Sequence, residues 1–180
     1  IKLNYNDMKK VLVIVFIFLS GLTQAQLTSK EEVAPELVQK REEQRKEITK
    51  NYLALKNSLI TSDSLAVIKN AEALRNSLKN FKFKKLSLEQ MNAATITRKA
   101  ISDLAAEMAS TKNINKQRKI FETLSVKYWE AASKFKAADA ALYLQVCPMT
   151  GAVWTSDSKE IKNPYYPKNM LTCGEVKASL

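Results

Sequence analysis

Residues 117–135 read QRKIFETLSVKYWEAASKF. Gln117, Ile120, Phe121, Leu124, Tyr128, Ala131 and Phe135 recur at intervals of three and four, the spacing that aligns side chains on one face of an α-helix. No Gly or Pro interrupts the run. Ahead of it, Asn113 or Asn115 offers a side-chain oxygen to the free N–H groups of a first helical turn.

The same period recurs upstream. Ile48, Tyr52, Leu55 and Leu59 form one stripe, and Val67, Ile68, Ala71, Leu74 and Leu78 form a second. Met91, Ala94, Ile101, Leu104, Ala105 and Met108 form a third. Thr61-Ser62-Asp63 separates the first two and supplies an N-cap. Ser87-Leu88-Glu89-Gln90 fits a capping box, in which the serine and glutamine side chains satisfy each other's backbone donors. The stretch Asn80–Leu86, with Phe81 and Phe83, reads as a connection. Four amphipathic helices with short connections predict a mainly α protein, an up-down-up-down four-helix bundle. Only 3 Gly and 4 Pro in 180 residues argue against a turn-rich β-sandwich.

Before the first stripe, Gln39–Glu47 is polar throughout. It reads as the exposed half of the same helix, with Glu42 and Lys46 placed to pair at i,i+4. Further upstream, Met8-Lys9-Lys10 starts a basic region, Val11–Leu19 is apolar, and Thr23-Gln24-Ala25 is a small-residue end. That order is expected of a secretory signal peptide starting at Met8 and cleaved after Ala25. The apolar run is short for a membrane span, which needs roughly 20 residues. No cysteine lies near Ala25 to carry a lipid. The expectation is therefore an exported protein, periplasmic or secreted, neither a lipoprotein nor membrane-spanning. Residues 1–25 would be removed, 26–47 form a polar helical extension, 48–136 the bundle, and 137–180 an appendix of the same domain.

The net charge is +11. Loss of Lys2, Lys9, Lys10 and Asp7 with the leader takes it from +11 to +9. The lysines are dispersed among glutamates, which describes a solvated surface and not a nucleic-acid stripe. Histidine is absent, and with it the usual general base and the usual ligand for zinc or copper(II). There is no nucleophile elbow and no metal-hydrolase spacing, so the chain is expected not to be an enzyme.

After Lys136 the helical period stops. Ala141–Val146 is β-prone and leads into Cys147-Pro148-Met149. A turn at Thr150-Gly151 precedes a short extended piece, Ala152-Val153-Trp154. Asn163-Pro164-Tyr165-Tyr166-Pro167 reads as a rigid loop, and Met170–Val176 closes the segment. Both cysteines, three of the four prolines and two of the three glycines lie here, which marks a structured appendix, small and partly β.

These residues resemble the DUF3347 domain family of exported bacterial proteins. The resemblance rests on Cys147-Pro148-Met149, Gly151-Ala152-Val153-Trp154, Ile161-Lys162-Asn163-Pro164-Tyr165-Tyr166 and Met170-Leu171-Thr172-Cys173-Gly174. It extends to Tyr52–Leu59 and to Gln117-Arg118 with Phe121, Leu124 and Ser125. Pro167 stands where the family usually has glycine, and the piece between Met149 and Gly151 is short. The family is functionally uncharacterised. Some relatives carry the domain beside periplasmic adaptor subunits of heavy-metal efflux pumps, which implies copper or silver handling and an efflux adaptor as partner.

Three readings of the appendix stay open. Cys147, Met149, Met170 and Cys173 are soft donors, suited to Cu(I) or Ag(I). Residues two apart in an extended strand point the same way, which would let Cys147 and Met149 face one ion; residues three apart in a helical turn would do the same for Met170 and Cys173. Alternatively, Cys147 and Cys173 form a disulfide closing a loop of about 27 residues, worth roughly 3.5 kcal/mol in the chain-entropy model. Lastly, Trp154, Tyr165 and Tyr166 offer an aromatic patch for a protein or sugar partner. The oligomeric state is not readable from the sequence.

Overall fold

The structure is a computed structural model that describes residues 35–180. The expected signal peptide and the first part of the polar extension lie outside the described residues. Four helices come first: α1 (Pro35–Ile60), α2 (Ser64–Lys79), α3 (Leu88–Ala109) and α4 (Ile114–Phe135). Three strands follow, β1 (Tyr143–Val146), β2 (Val153–Ser156) and β3 (Glu175–Ser179). The architecture is the mainly α bundle with a small β appendix that the periodicities predict. Among the described residues no helix is long and apolar enough to cross a membrane.

Helix α1 starts at Pro35, where a missing N–H costs nothing and a fixed φ suits the first turn. Its polar and packed halves are continuous, and Ile48 is its first fully buried side chain. The pairing expected between Glu42 and Lys46 is not made; Glu42 instead meets Arg45 at 3.5 Å, and both Glu42 and Lys46 reach the segment after α4. Lys46 Nζ meets Asp139 at 3.0 Å, and Glu42 accepts from the backbone N–H of Ala138. The segment after α4 thus folds back onto the polar half of α1.

The helix boundaries follow capping chemistry. Asp63 accepts from the backbone N–H groups of Leu65 and Ala66 at 3.1 and 2.9 Å. Ser87 and Gln90 form both halves of the capping box. Asn113, not Asn115, caps α4, accepting from Asn115 and Lys116. Each helix packs on its successor, and α4 returns against α1. The core is aromatic along this last contact: the rings of Tyr52 and Tyr128 stack at 3.8 Å, and Phe121 lies 5.7 Å from Tyr52. The connection carrying Phe81 and Phe83 is loop, as expected, yet both rings are buried. They close one end of the bundle against Phe135, at 5.6 and 5.8 Å.

The sheet is antiparallel, in the order β2-β1-β3. Strands β1 and β2 fall where the sequence has extended pieces. Strand β3 alternates polar and apolar residues over only five positions, and every one of them is exposed. It exists through backbone pairing with β1, extended by reciprocal bonds between Leu142 and Leu180 at 3.2 and 2.8 Å. Strand β2 is the one that docks on the bundle. Trp154, Thr155 and Ser156 are buried, and the Thr155 N–H donates to the Tyr52 hydroxyl at 3.0 Å.

The expected aromatic patch is not a surface. Trp154 is fully buried and Tyr165 is 5% exposed; only Tyr166 reaches solvent appreciably. Each polar group of the buried pair has an internal partner. The indole N–H donates to Gln145 Oε1, and the Tyr165 hydroxyl to the Val153 carbonyl at 2.6 Å. Burial of large aromatic area outweighs exposure once those groups are satisfied.

Gly174 shows how tightly the appendix closes over Trp154. A Cβ built there would sit 2.9 Å from both the indole of Trp154 and the Ile161 side chain, and 3.2 Å from the Val146 carbonyl oxygen. Gly174→Ala is expected to destabilise the fold by about 1–3 kcal/mol through overpacking. Urea denaturation checks this, and an unchanged midpoint would show that the indole can move aside.

Candidate functional site: a paired thiol pocket

Cysteine 147 follows the last residue of β1, and Cys173 precedes β3 by two residues. In the β1–β3 register Val146 stands opposite Glu175. Antiparallel pairing therefore brings the two cysteines to the same end of neighbouring strands, although 26 positions separate them in the chain. The disulfide set out as an alternative is not formed: both cysteines are free thiols. They nonetheless lie at the same end of the sheet, as the β1–β3 register requires.

Their surroundings are unequal. Cys147 is fully buried, while Cys173 is half-buried. Cys147 is not part of an extended run with Met149, as strand alternation would require. The chain turns sharply at Pro148, with the Gly151 N–H returning to the Cys147 carbonyl at 2.8 Å and that of Thr150 at 3.3 Å. Gly151 completes the turn at φ +72°, a conformation glycine takes without a Cβ penalty.

This turn wraps donors around the Cys147 sulfur. Burial pushes the Cys147 thiol up. Hydrogen bonding from the Thr150 side chain, the backbones of Met149 and Thr150, and the Asn163 side chain outweighs that effect and holds the thiol below its ordinary value. Cys173 moves the other way. Burial raises it first, followed by the charge on Cys147 and the hydrogen bond to that sulfur. The two thiols are thus shifted in opposite directions, Cys147 toward easier ionisation and Cys173 away from it.

Asn163 ties the two halves together. It is fully buried. Its Nδ2 donates to the Cys173 carbonyl at 3.0 Å, and its Oδ1 accepts from the Tyr165 N–H at 2.9 Å and the Tyr166 N–H at 3.3 Å. Its own N–H donates to the Leu171 carbonyl at 2.7 Å. Neither Thr150 nor Asn163 stands out as a site residue in the sequence. The one local hint is Asn163-Pro164, a dipeptide that favours turn initiation.

The bundle fixes this loop through Arg118. Its Nε donates to the Pro164 carbonyl at 3.0 Å, and its Nη2 donates to the Leu59 carbonyl at 2.9 Å and to Ser62 Oγ at 2.8 Å. The adjacent Gln117 is fully buried and donates to the carbonyls of Thr111 and Ser64 at 2.7 and 3.2 Å. The Gln-Arg pair is a structural clasp: glutamine joins helix ends, arginine joins bundle to appendix.

The methionines are placed differently from the cysteines. Met149 is 72% exposed. Met170 is half-buried, and its carbonyl accepts the Cys173 N–H at 3.0 Å, so the two share a turn as their spacing suggests. Among the described residues there is no group of three or more His, Cys, Asp or Glu side chains able to hold a metal ion.

A family model described as "Protein of unknown function (DUF3347)" matches residues 48–140. The match spans the packed bundle and stops before Cys147. No curated protein and no solved structure matches the chain.

Proposed function

This chain belongs to the DUF3347 family, a family without an assigned function, and we propose that it is a non-catalytic, exported carrier of a soft monovalent cation, Cu(I) or Ag(I). The observation that carries the reading is the pair of unbonded thiols, Cys147 and Cys173, brought to one end of the sheet by the β1–β3 register. Thiolate and thioether sulfur select soft cations, and the sequence has no histidine to favour borderline ones. Cys147 and Cys173 are the principal donors, with the Met170 thioether as a third donor from the turn it shares with Cys173. The cation is cargo, and the bundle is the scaffold that keeps the two strand ends in register. An adaptor subunit of a heavy-metal efflux pump is the partner this reading favours.

The test is titration of the reduced protein with Cu(I) against a competing chelator, beside a Cys147→Ser, Cys173→Ser double variant. Stoichiometric uptake by the wild type, abolished in the variant, is the expected result. Circular dichroism on both proteins keeps loss of binding separate from loss of fold. If the folded wild type takes no more copper than the folded variant, the carrier reading is wrong.

A further inference from the structure

We propose that Met149 is the capture ligand of this pocket: the residue that first takes the cation from solvent or from a donor and delivers it to the thiols, without holding it at rest. The inference rests on the carrier reading above and concerns how the cargo reaches the buried sulfur.

The argument starts from access. Cys147 has no solvent exposure, Cys173 is half-buried, and Met149 is 72% exposed. The strongest donor of the pocket therefore has no direct path to a hydrated cation, while the weakest has the most open one. Met149 is tethered at the right place, two residues beyond Cys147 inside the turn that the Thr150 and Gly151 N–H groups close on the Cys147 carbonyl. Its main chain is fixed within the turn, and its side chain is free.

Thioether chemistry suits transient contact. A thioether carries no proton to lose and no charge, so it accepts a soft cation readily and releases it readily. The unbranched side chain has three rotatable bonds and sweeps a wide arc. The order from exposed thioether, through half-buried thiol, to buried thiol runs from neutral sulfur to sulfur that can ionise, in the direction the cargo must travel.

Met149→Leu separates capture from retention. It keeps size and apolar character, removes only the sulfur, and sits at an exposed position where the fold should not suffer. Reduced wild type and variant are mixed with a coloured Cu(I)–chelator complex, and the rate and final extent of transfer are followed by absorbance. The expected result is a rate lower by about tenfold, equivalent to about 1.4 kcal/mol in the barrier, with final affinity within about twofold of wild type. An unchanged rate, or an affinity loss beyond twofold, overturns the proposal, the second because Met149 would then be a resident ligand. If the wild type takes up no copper at all, the carrier reading has failed and this inference fails with it. Normal wild-type uptake with an unaffected variant removes the capture role alone.

Discussion

Replacing Trp154 with alanine is expected to lower stability by about 3–5 kcal/mol, the range for deleting a buried large aromatic. Two effects add. The first is a cavity: Trp154 is fully buried, packs edge-to-face with Tyr165 at 6.1 Å, and forms the floor on which Gly174 closes. The second is polar. The indole N–H satisfies Gln145 Oε1, while Gln145 Nε2 binds the carbonyls of Ser158 and Glu160 at 2.9 and 3.1 Å. Alanine leaves the Gln145 oxygen buried without a donor. Trp154→Phe separates the terms, since it keeps most of the packing and loses the N–H, for about 1–3 kcal/mol. Guanidinium denaturation followed by helical ellipticity reads both. A loss under about 1 kcal/mol for the alanine variant would mean the appendix contributes little to the domain.

Arg118→Met is the second large effect, at about 2–4 kcal/mol. The guanidinium makes charge-assisted bonds to two main-chain carbonyls and a hydroxyl belonging to the end of α1, the turn after it and the Asn163–Pro167 loop. Methionine fills similar volume but leaves the Pro164 and Leu59 carbonyls without their donor. Burial alone lowers the Arg118 pKa from its ordinary value, and the group still remains a cation at any working pH. Arg118→Lys is not expected to rescue, because a single ammonium cannot reach three acceptors fixed in a planar fork. Full stability in the lysine variant would show that charge, and not geometry, matters here. The same variants should loosen the thiol pocket, as Pro164 adjoins Asn163.

The helical part was legible because its signal is local and repeated. The stripe from Gln117 to Phe135 is buried at every named position, and the caps at Asp63, Ser87 and Asn113 depend on residues within three positions of each other. The pocket was legible only in its sulfurs. That Cys147 and Cys173 share one end of the sheet follows from the β1–β3 register, and the brief alternation of Glu175–Ser179 does not tell which strand it pairs with. The donors at Thr150 and Asn163 depend on the turn after Cys147 and on a loop pinned by a helix residue more than 40 positions upstream, so no spacing rule reaches them. The aromatic patch failed for a related reason. Composition says that Trp154 and Tyr165 are clustered, but only the fold shows that the Val153 carbonyl and Gln145 await their polar groups.

Strand β3 is hydrogen-bonded on one side only and exposed along its whole length. Such a strand can detach at low free-energy cost while the helices keep their packing. When it does, Cys173 leaves with its end of the chain and Cys147 remains behind on β1. The thiol pair is therefore expected to open more often than the bundle unfolds. Amide hydrogen exchange should find Val176 and Lys177 far less protected than Tyr128, and a cation held between the two thiols should slow exchange in β3 while leaving α4 unchanged.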